Sequence, residues 1–140
     1  MDIFTGMTPI QAAALHTGLL VLLMLGLKIY VASARYKHKV LSGEAGNAEF
    51  GRAGRVQMNA VEDVPPLMVG LVALALLGMP AWYIHATGGL LLVARIAHAV
   101  GLAGSSGRSL GRAVGTFGTL IVALAVAGAL IVHAFGPPPH

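Results

Sequence analysis

Arg55-Val56-Gln57-Met58-Asn59-Ala60-Val61-Glu62-Asp63-Val64-Pro65-Pro66 runs directly into Leu67-Met68-Val69-Gly70-Leu71-Val72-Ala73-Leu74-Ala75-Leu76-Leu77. The second half reads as the apolar body of a membrane span. The first half sets a cation, two amides and two carboxylates at its head. Ionisable groups are expensive in hydrocarbon and persist there when they pair with one another or line a cavity. Arg55, Asn59 and Glu62 are spaced four and then three apart, so on a helix they share one face. Such a stripe is either a polar seam between helices or the wall of a site for a small charged molecule.

The rest of the chain agrees with a membrane setting. Of 140 residues, 56% are hydrophobic and 10% charged, and the mean hydropathy is +0.81. Soluble domains carry roughly 25% charged residues, and a chain this short cannot enclose so much apolar surface in water. There is no cysteine, which excludes disulfides, thiolate metal sites and a cysteine nucleophile. Any thiol chemistry must use a thiol brought by a substrate. The pI near 10.0 does not imply a nucleic-acid surface, because the cations cluster beside the spans. The N-terminus has no basic segment or cleavage site of a secretory signal, so the first span is expected to be retained.

A helix crossing about 30 Å of hydrocarbon needs roughly 20 mainly apolar residues. Four segments qualify, at about 8–34, 47–77, 80–103 and 108–135, forming a single four-span membrane domain over residues 1–140. Thr8-Pro9 is an N-cap followed by proline at the first helical position. Gly78-Met79-Pro80 is a tight uncharged turn that makes spans two and three a hairpin. Gly104-Ser105-Ser106-Gly107 is a second short turn, and Gly136-Pro137 stops the fourth span. The expected fold is an all-α four-helix transmembrane bundle. Arg35, Lys37, Lys39, Arg52 and Arg55 flank the first loop, and Arg108 and Arg112 the third. The positive-inside rule puts these loops in the cytoplasm and both termini outside.

That orientation gathers three polar sets at the cytoplasmic end. The first is the second-span stripe, with Gln57 and Asp63 beside Arg55, Asn59 and Glu62. Its bland reading is interhelical hydrogen bonding. Pro65 and Pro66 free backbone carbonyls a turn earlier and can kink the helix, opening space beside Glu62. The second set is Arg95 and His98, three apart on the third span. Arg95 is most simply the partner of Glu62 or Asp63, and a lone His98 is more often a packed core histidine than a ligand. The third set is Arg108 and Arg112. Arginine at a membrane edge is usually an interfacial anchor, yet Arg112 lies one turn inside, where a cation favours a bound thiolate. Lys28 reads as a snorkelling residue. Gly111, Gly115 and Gly118 form a small-residue face for packing within or between subunits. His16, His85 and His133 are too scattered along the chain for a metal-ligand spacing, and no metal site is expected.

The pattern Arg55-x-Gln57-x-Asn59-x-x-Glu62-x-x-Pro65, followed by Ala94-Arg95-Ile96-Ala97-His98, resembles the membrane-associated proteins in eicosanoid and glutathione metabolism, the MAPEG family, in its small bacterial form. The resemblance covers essentially the whole chain in span count and loop lengths. It implies a homotrimer with glutathione as co-substrate, bound between subunits near the cytoplasmic side of a bacterial inner membrane. Carried over by position, it implies that Arg35, Arg55, Gln57, Asn59, Glu62, Arg95, His98 and Arg108 contact glutathione. It implies that Arg112 activates the thiol. Two positions that hold tyrosine in many members are Asp63 and Leu102 here.

The function expected from this resemblance is a glutathione-dependent membrane transferase or peroxidase acting on a lipophilic electrophile. The alternative is a non-catalytic membrane protein of the same fold that binds a lipid or anionic metabolite. A small transporter is a third reading, without the broken helices or inverted repeat that would support it.

Overall fold

A computed structural model describes residues 6–43, 46–104, 107 and 109–136. Four helices account for nearly all of them: α1 (Pro9–Lys37), α2 (Ala48–Leu76), α3 (Ala81–Gly104) and α4 (Leu110–Ala134). All four are long and apolar enough to cross a membrane. The expected fold class is borne out at the level of an all-α four-helix membrane bundle. Arg108, Ser105, Ser106 and the prolines from 137 onward lie outside the described residues.

Local chemistry sets the helix ends. Thr8 caps α1 in a reciprocal box with Gln11, its hydroxyl accepting from the Gln11 amide while the Gln11 side chain accepts from the Thr8 amide. Asn47 and Ser109 cap α2 and α4 one way, their side chains accepting from the Phe50 and Arg112 amides. Such caps satisfy amides that the helix itself leaves open.

At the other end of α2 the chain closes a Schellman turn. Met79 N–H reaches Leu74 O at 3.0 Å and Gly78 N–H reaches Ala75 O at 3.3 Å. Gly78 takes the left-handed pose this requires, at φ 84°. α1 ends in the same motif, with Val40 N–H on Arg35 O and Lys39 N–H on Tyr36 O. There the left-handed position is held by Lys39, at φ 52°. A side chain with a Cβ pays about 1–2 kcal/mol for that conformation.

α2 continues through Pro65 and Pro66 without interruption. Its inward face, from Ala60 through Val64, Leu67 and Leu71 to Leu74, forms the core with Leu20, Ile84, Leu91, Val122 and Val126, and Val56 packs in a smaller cluster with Ala99 and Leu102. α3 and α4 make the most extensive pairing, α1 packs on α2 and α3, and α1 does not touch α4. Leu22, Val69, Val93, Ile121 and Leu124 point outward, as lipid-facing residues do.

The close approach of α3 and α4 explains the small-residue face on the fourth span. A Cβ on Gly111 would stand 2.7 Å from Ala97 O, and one on Gly115 would stand 2.6 Å from Ala94 O. Backbones meet there directly, so these glycines serve packing within the subunit. α1 behaves differently: its buried residues are Ala12, Ala13, His16 and Leu20. Beyond Leu20 the contact thins to the partly buried Met24 and Leu27, and a cavity opens beside the last turns of the helix.

Candidate functional site

Arg95 is the largest fully buried side chain of the bundle, 2% exposed. Its Nη1 donates to Asp63 Oδ2 at 2.6 Å, joining α3 to α2. The depth of this arginine had implied an acidic partner on the hairpin helix, and Asp63, not Glu62, fills that role. His98 lies one turn further along α3, buried, with its backbone and Cβ against Gly115 of α4. It is within electrostatic reach of Arg95, Arg112 and Asp63. The seam of α2, α3 and α4 thus gathers Asp63, Arg95, His98 and Arg112 at the basic end of the bundle.

Arg112 is placed by the start of α4. Ser109 Oγ accepts from the Arg112 amide and donates to Gly101 O at 3.0 Å, tying the cap to α3. The guanidinium turns back to Gly107 O at 2.6 Å. Among the described residues this is the one bond its guanidinium makes.

Glu62 and Asp63 line a groove of about 360 Å³ between α2 and α4, walled by Pro66, Leu67, Thr119, Leu120, Ala123, Val126, Ala127 and Leu130. Space beside Glu62 was expected from a proline kink. It is present with Pro66 in its wall, on a helix that runs unbroken.

Arg55 and Asn59 sit further toward the helix start, directed outward. Asn59 Nδ2 donates to the Arg55 carbonyl at 2.9 Å, within their own helix. Arg55, Met58, Val61 and Glu62 are all exposed. A guanidinium and a carboxylate therefore stand on the outer surface of a bundle whose surroundings are otherwise apolar.

Gln57 does not belong to that stripe. At about 100° per residue it lies some 200° round the helix from Arg55. The structure accordingly puts it in a different cavity of about 1000 Å³, with Lys28, Val31, Ala32, Arg35, Tyr36, Lys37, Lys39, Val40 and Leu41. Arg35 is held there by two bonds from Nη1, to Val40 O at 3.1 Å and Leu41 O at 3.2 Å. Its guanidinium stacks over Phe50, 4.8 Å from the ring centre. Lys37 is engaged by Glu49 at 2.9 Å. Asn47 adds a bond to His38 at 3.1 Å, closing the start of α2 onto the end of α1.

The residues expected to share one ligand are thus divided between two sides of α2. Arg35 and Gln57 face the α1 side. Arg55, Asn59, Glu62 and the α3–α4 set face the other. One chain does not bring them together.

A pairing that sequence reading missed lies at the opposite end. His16 Nε2 and His85 Nδ1 are 3.1 Å apart, linking α1 to α3. A Cβ on Gly88 would collide with the His16 ring, so glycine clears the seat. The two histidines are 69 residues apart, and only the small-residue pair Gly88-Gly89 hinted at a bulky neighbour. Among the described residues no three histidine or acidic side chains converge as a metal centre.

A model of the MAPEG family matches residues 13–132, from the first turns of α1 to the last of α4. The chain is 32% identical over 91 residues to the inner membrane protein YecN of Escherichia coli strain K12, covering 65% of this chain and 70% of that protein. The same figures hold for YecN of Escherichia coli O6:H1 strain CFT073. With a family match over most of its length, passing through every helix and every polar set described above, the chain belongs to the MAPEG family.

Proposed function

We propose that this chain is the subunit of a glutathione-dependent membrane transferase or peroxidase, assembled as a homotrimer, that acts on a lipophilic electrophile. An inner-membrane location is supported by the similarity to an inner membrane protein of Escherichia coli, and the distribution of cations supports a cytoplasmic basic end. The observation that carries the reading is the division of polar residues across α2. Arg55 and Glu62 face outward with no side-chain partner among the described residues, and Arg35 and Gln57 face a separate open cavity. A neighbouring copy would cover the stripe and bring its own Arg35 and Gln57 to it.

In that interface Arg95 and Asp63 neutralise each other. Of the residues expected at the ligand, the described Arg35, Arg55 and Arg112 then stand against Glu62, a net double positive charge before Arg108 is counted. Glutathione as its thiolate carries two carboxylates, one ammonium and one sulfur anion, a net double negative charge. Glu62 would accept from the ammonium, Asn59 and Gln57 would bond the amides, and His98 would line the site. Arg112 would favour the thiolate, because a fixed cation beside a thiol stabilises its anion. The thiol proton passes to water. The sulfur lone pair then forms a bond to carbon as the leaving group departs with its electron pair, or attacks the terminal hydroperoxide oxygen so that the O–O bond breaks. The second route leaves glutathione sulfenic acid and an alkoxide that takes a proton from water. A second glutathione then displaces water from the sulfenic acid to give the disulfide. Positioning and charge are the only catalytic devices required.

The test is a glutathione titration of purified protein, following thiolate absorbance near neutral pH and then conjugation of an aryl halide. Arg112→Ala is expected to bind glutathione without forming thiolate. Full thiol transfer by that variant would remove the role of Arg112. One observation favours the non-catalytic reading: Asp63 commits Arg95 to an internal pair. Binding of glutathione with no thiolate in the parent protein would support that alternative.

A further inference from the structure

Phe50 is 4% exposed, yet among the described residues neither apolar cluster of the core includes it. A buried aromatic ring usually fastens its helix to a core. This ring lies under a charge instead. Cζ of Arg35 stands 4.8 Å from its centre, within the range at which an aromatic face holds a guanidinium. The last turn of α1 thus rests on the first turn of α2 through a cation and a ring.

The ring is itself tied back to α1. Asn47 Oδ1 accepts from the Phe50 amide at 2.9 Å, so Nδ2 of the same side chain is the donor in its 3.1 Å contact with His38 Nδ1. Through Asn47, Phe50 is joined to the residue that caps α1, three positions beyond Arg35. The guanidinium is therefore constrained from two directions. Phe50 covers its face, and Nη1 donates to Val40 O and Leu41 O. Nε and Nη2 make no bond among the described residues, and they form one edge of the planar fork. Such an edge grips a carboxylate through two parallel bonds. An arginine that swings freely gives up side-chain freedom when it closes on a ligand, and that loss weakens binding. One already seated has given it up beforehand.

We propose that Phe50 is a positioning residue of the ligand site: it holds the Arg35 guanidinium in the place and plane at which it receives a carboxylate of glutathione. The inference rests on the function proposed above and adds a residue that acts on affinity through Arg35 alone. Thiolate formation, which belongs to Arg112, does not depend on it.

The experiment is a glutathione titration of the purified parent protein and of Phe50→Leu, Phe50→Tyr, Arg35→Ala and the double variant Arg35→Ala with Phe50→Leu. Phe50→Leu keeps apolar bulk without an aromatic face, and is expected to raise the dissociation constant about 3- to 10-fold. Its thiolate absorbance at saturating glutathione stays that of the parent. Phe50→Tyr, which keeps the face, retains parent affinity. In the Arg35→Ala background Phe50→Leu weakens binding no further. Phe50→Met carries the same expectation as Phe50→Leu, so the test does not hang on one variant folding. Parent affinity in Phe50→Leu and Phe50→Met overturns the proposal. So does an equal loss in Phe50→Tyr, a loss of thiolate at saturation, or an undiminished effect once Arg35 is gone. Those results would make the ring a packing residue. A parent protein that binds no glutathione refutes the proposed function and this role with it, whereas parent binding with unaffected variants refutes the role alone.

Discussion

Arg95 and Asp63 form a salt bridge whose two ends stand in different surroundings: the guanidinium is sealed inside the bundle at 2% exposure and the carboxylate is 42% exposed at the edge of a groove. Removing the acid therefore leaves a buried uncompensated cation, which costs about 3–5 kcal/mol. Asp63→Ala is expected to lower the thermal stability of the detergent-solubilised protein sharply. The double variant Asp63→Leu with Arg95→Met is expected to recover most of the loss, because apolar replacement of both partners removes the buried charge. A double variant as unstable as Asp63→Ala would show that the pair does more than satisfy itself.

The glycines of α4 make a second contrast. Gly115→Ala puts a methyl group into Ala94 O and His98, and overpacking of this kind costs about 1–3 kcal/mol. Gly128 on the same helix has nothing within 4 Å of its added Cβ. Gly128→Ala is therefore expected to be neutral, or stabilising by about 0.5–1 kcal/mol from helix propensity. Paired melting curves of the two variants check both expectations.

Lys39→Gly is expected to raise stability by about 1 kcal/mol, since glycine adopts the left-handed turn position freely. Differential scanning of parent and variant measures it. A fall in melting temperature would mean that the lysine side chain contributes more than its backbone strain costs.

If each ligand site uses Arg35 and Gln57 from one chain and Asn59 and Glu62 from the next, inactive variants complement each other. One chain would carry Arg35→Ala with Gln57→Ala, the other Asn59→Ala with Glu62→Ala. In a closed ring of head-to-tail contacts, random mixing at equal amounts restores about one quarter of the sites. Co-expressed, affinity-tagged mixtures assayed for glutathione binding give the fraction. No recovery would place each site within one chain.

Much of the fold was readable from sequence because hydropathy and length suffice to mark a span. Thr8-Pro9 and Gly78-Met79-Pro80 marked ends through chemistry that acts over a few residues. The partner of Arg95 was also accessible, since a deep cation must find an acid and, of the three on the adjoining helix, only Glu62 and Asp63 lie beyond its first turn. What failed was assigning residues to sides of the bundle. Gln57 was grouped with Arg55 by nearness in sequence, although two residues along a helix point almost opposite ways. Gly111 and Gly115 could equally have served a neighbouring subunit, because small size permits close approach without naming the partner. His16 and His85 meet only through the packing of α1 on α3, which no local pattern encodes.

The early departure of α1 from the core has a kinetic consequence. Contact between the backbones of α3 and α4 holds Arg95, His98 and Arg112 as one stiff unit, while α1 beyond Leu20 has no fully buried side chain and is held by the partly buried Met24 and Leu27 and by polar contacts at its end. Anything that engages Arg35 therefore changes the motion of α1 far more than that of α3 or α4. Occupancy should be most visible as slowed amide hydrogen exchange from Val21 to Lys37, a segment tens of ångströms long that reports on a few cations at its end.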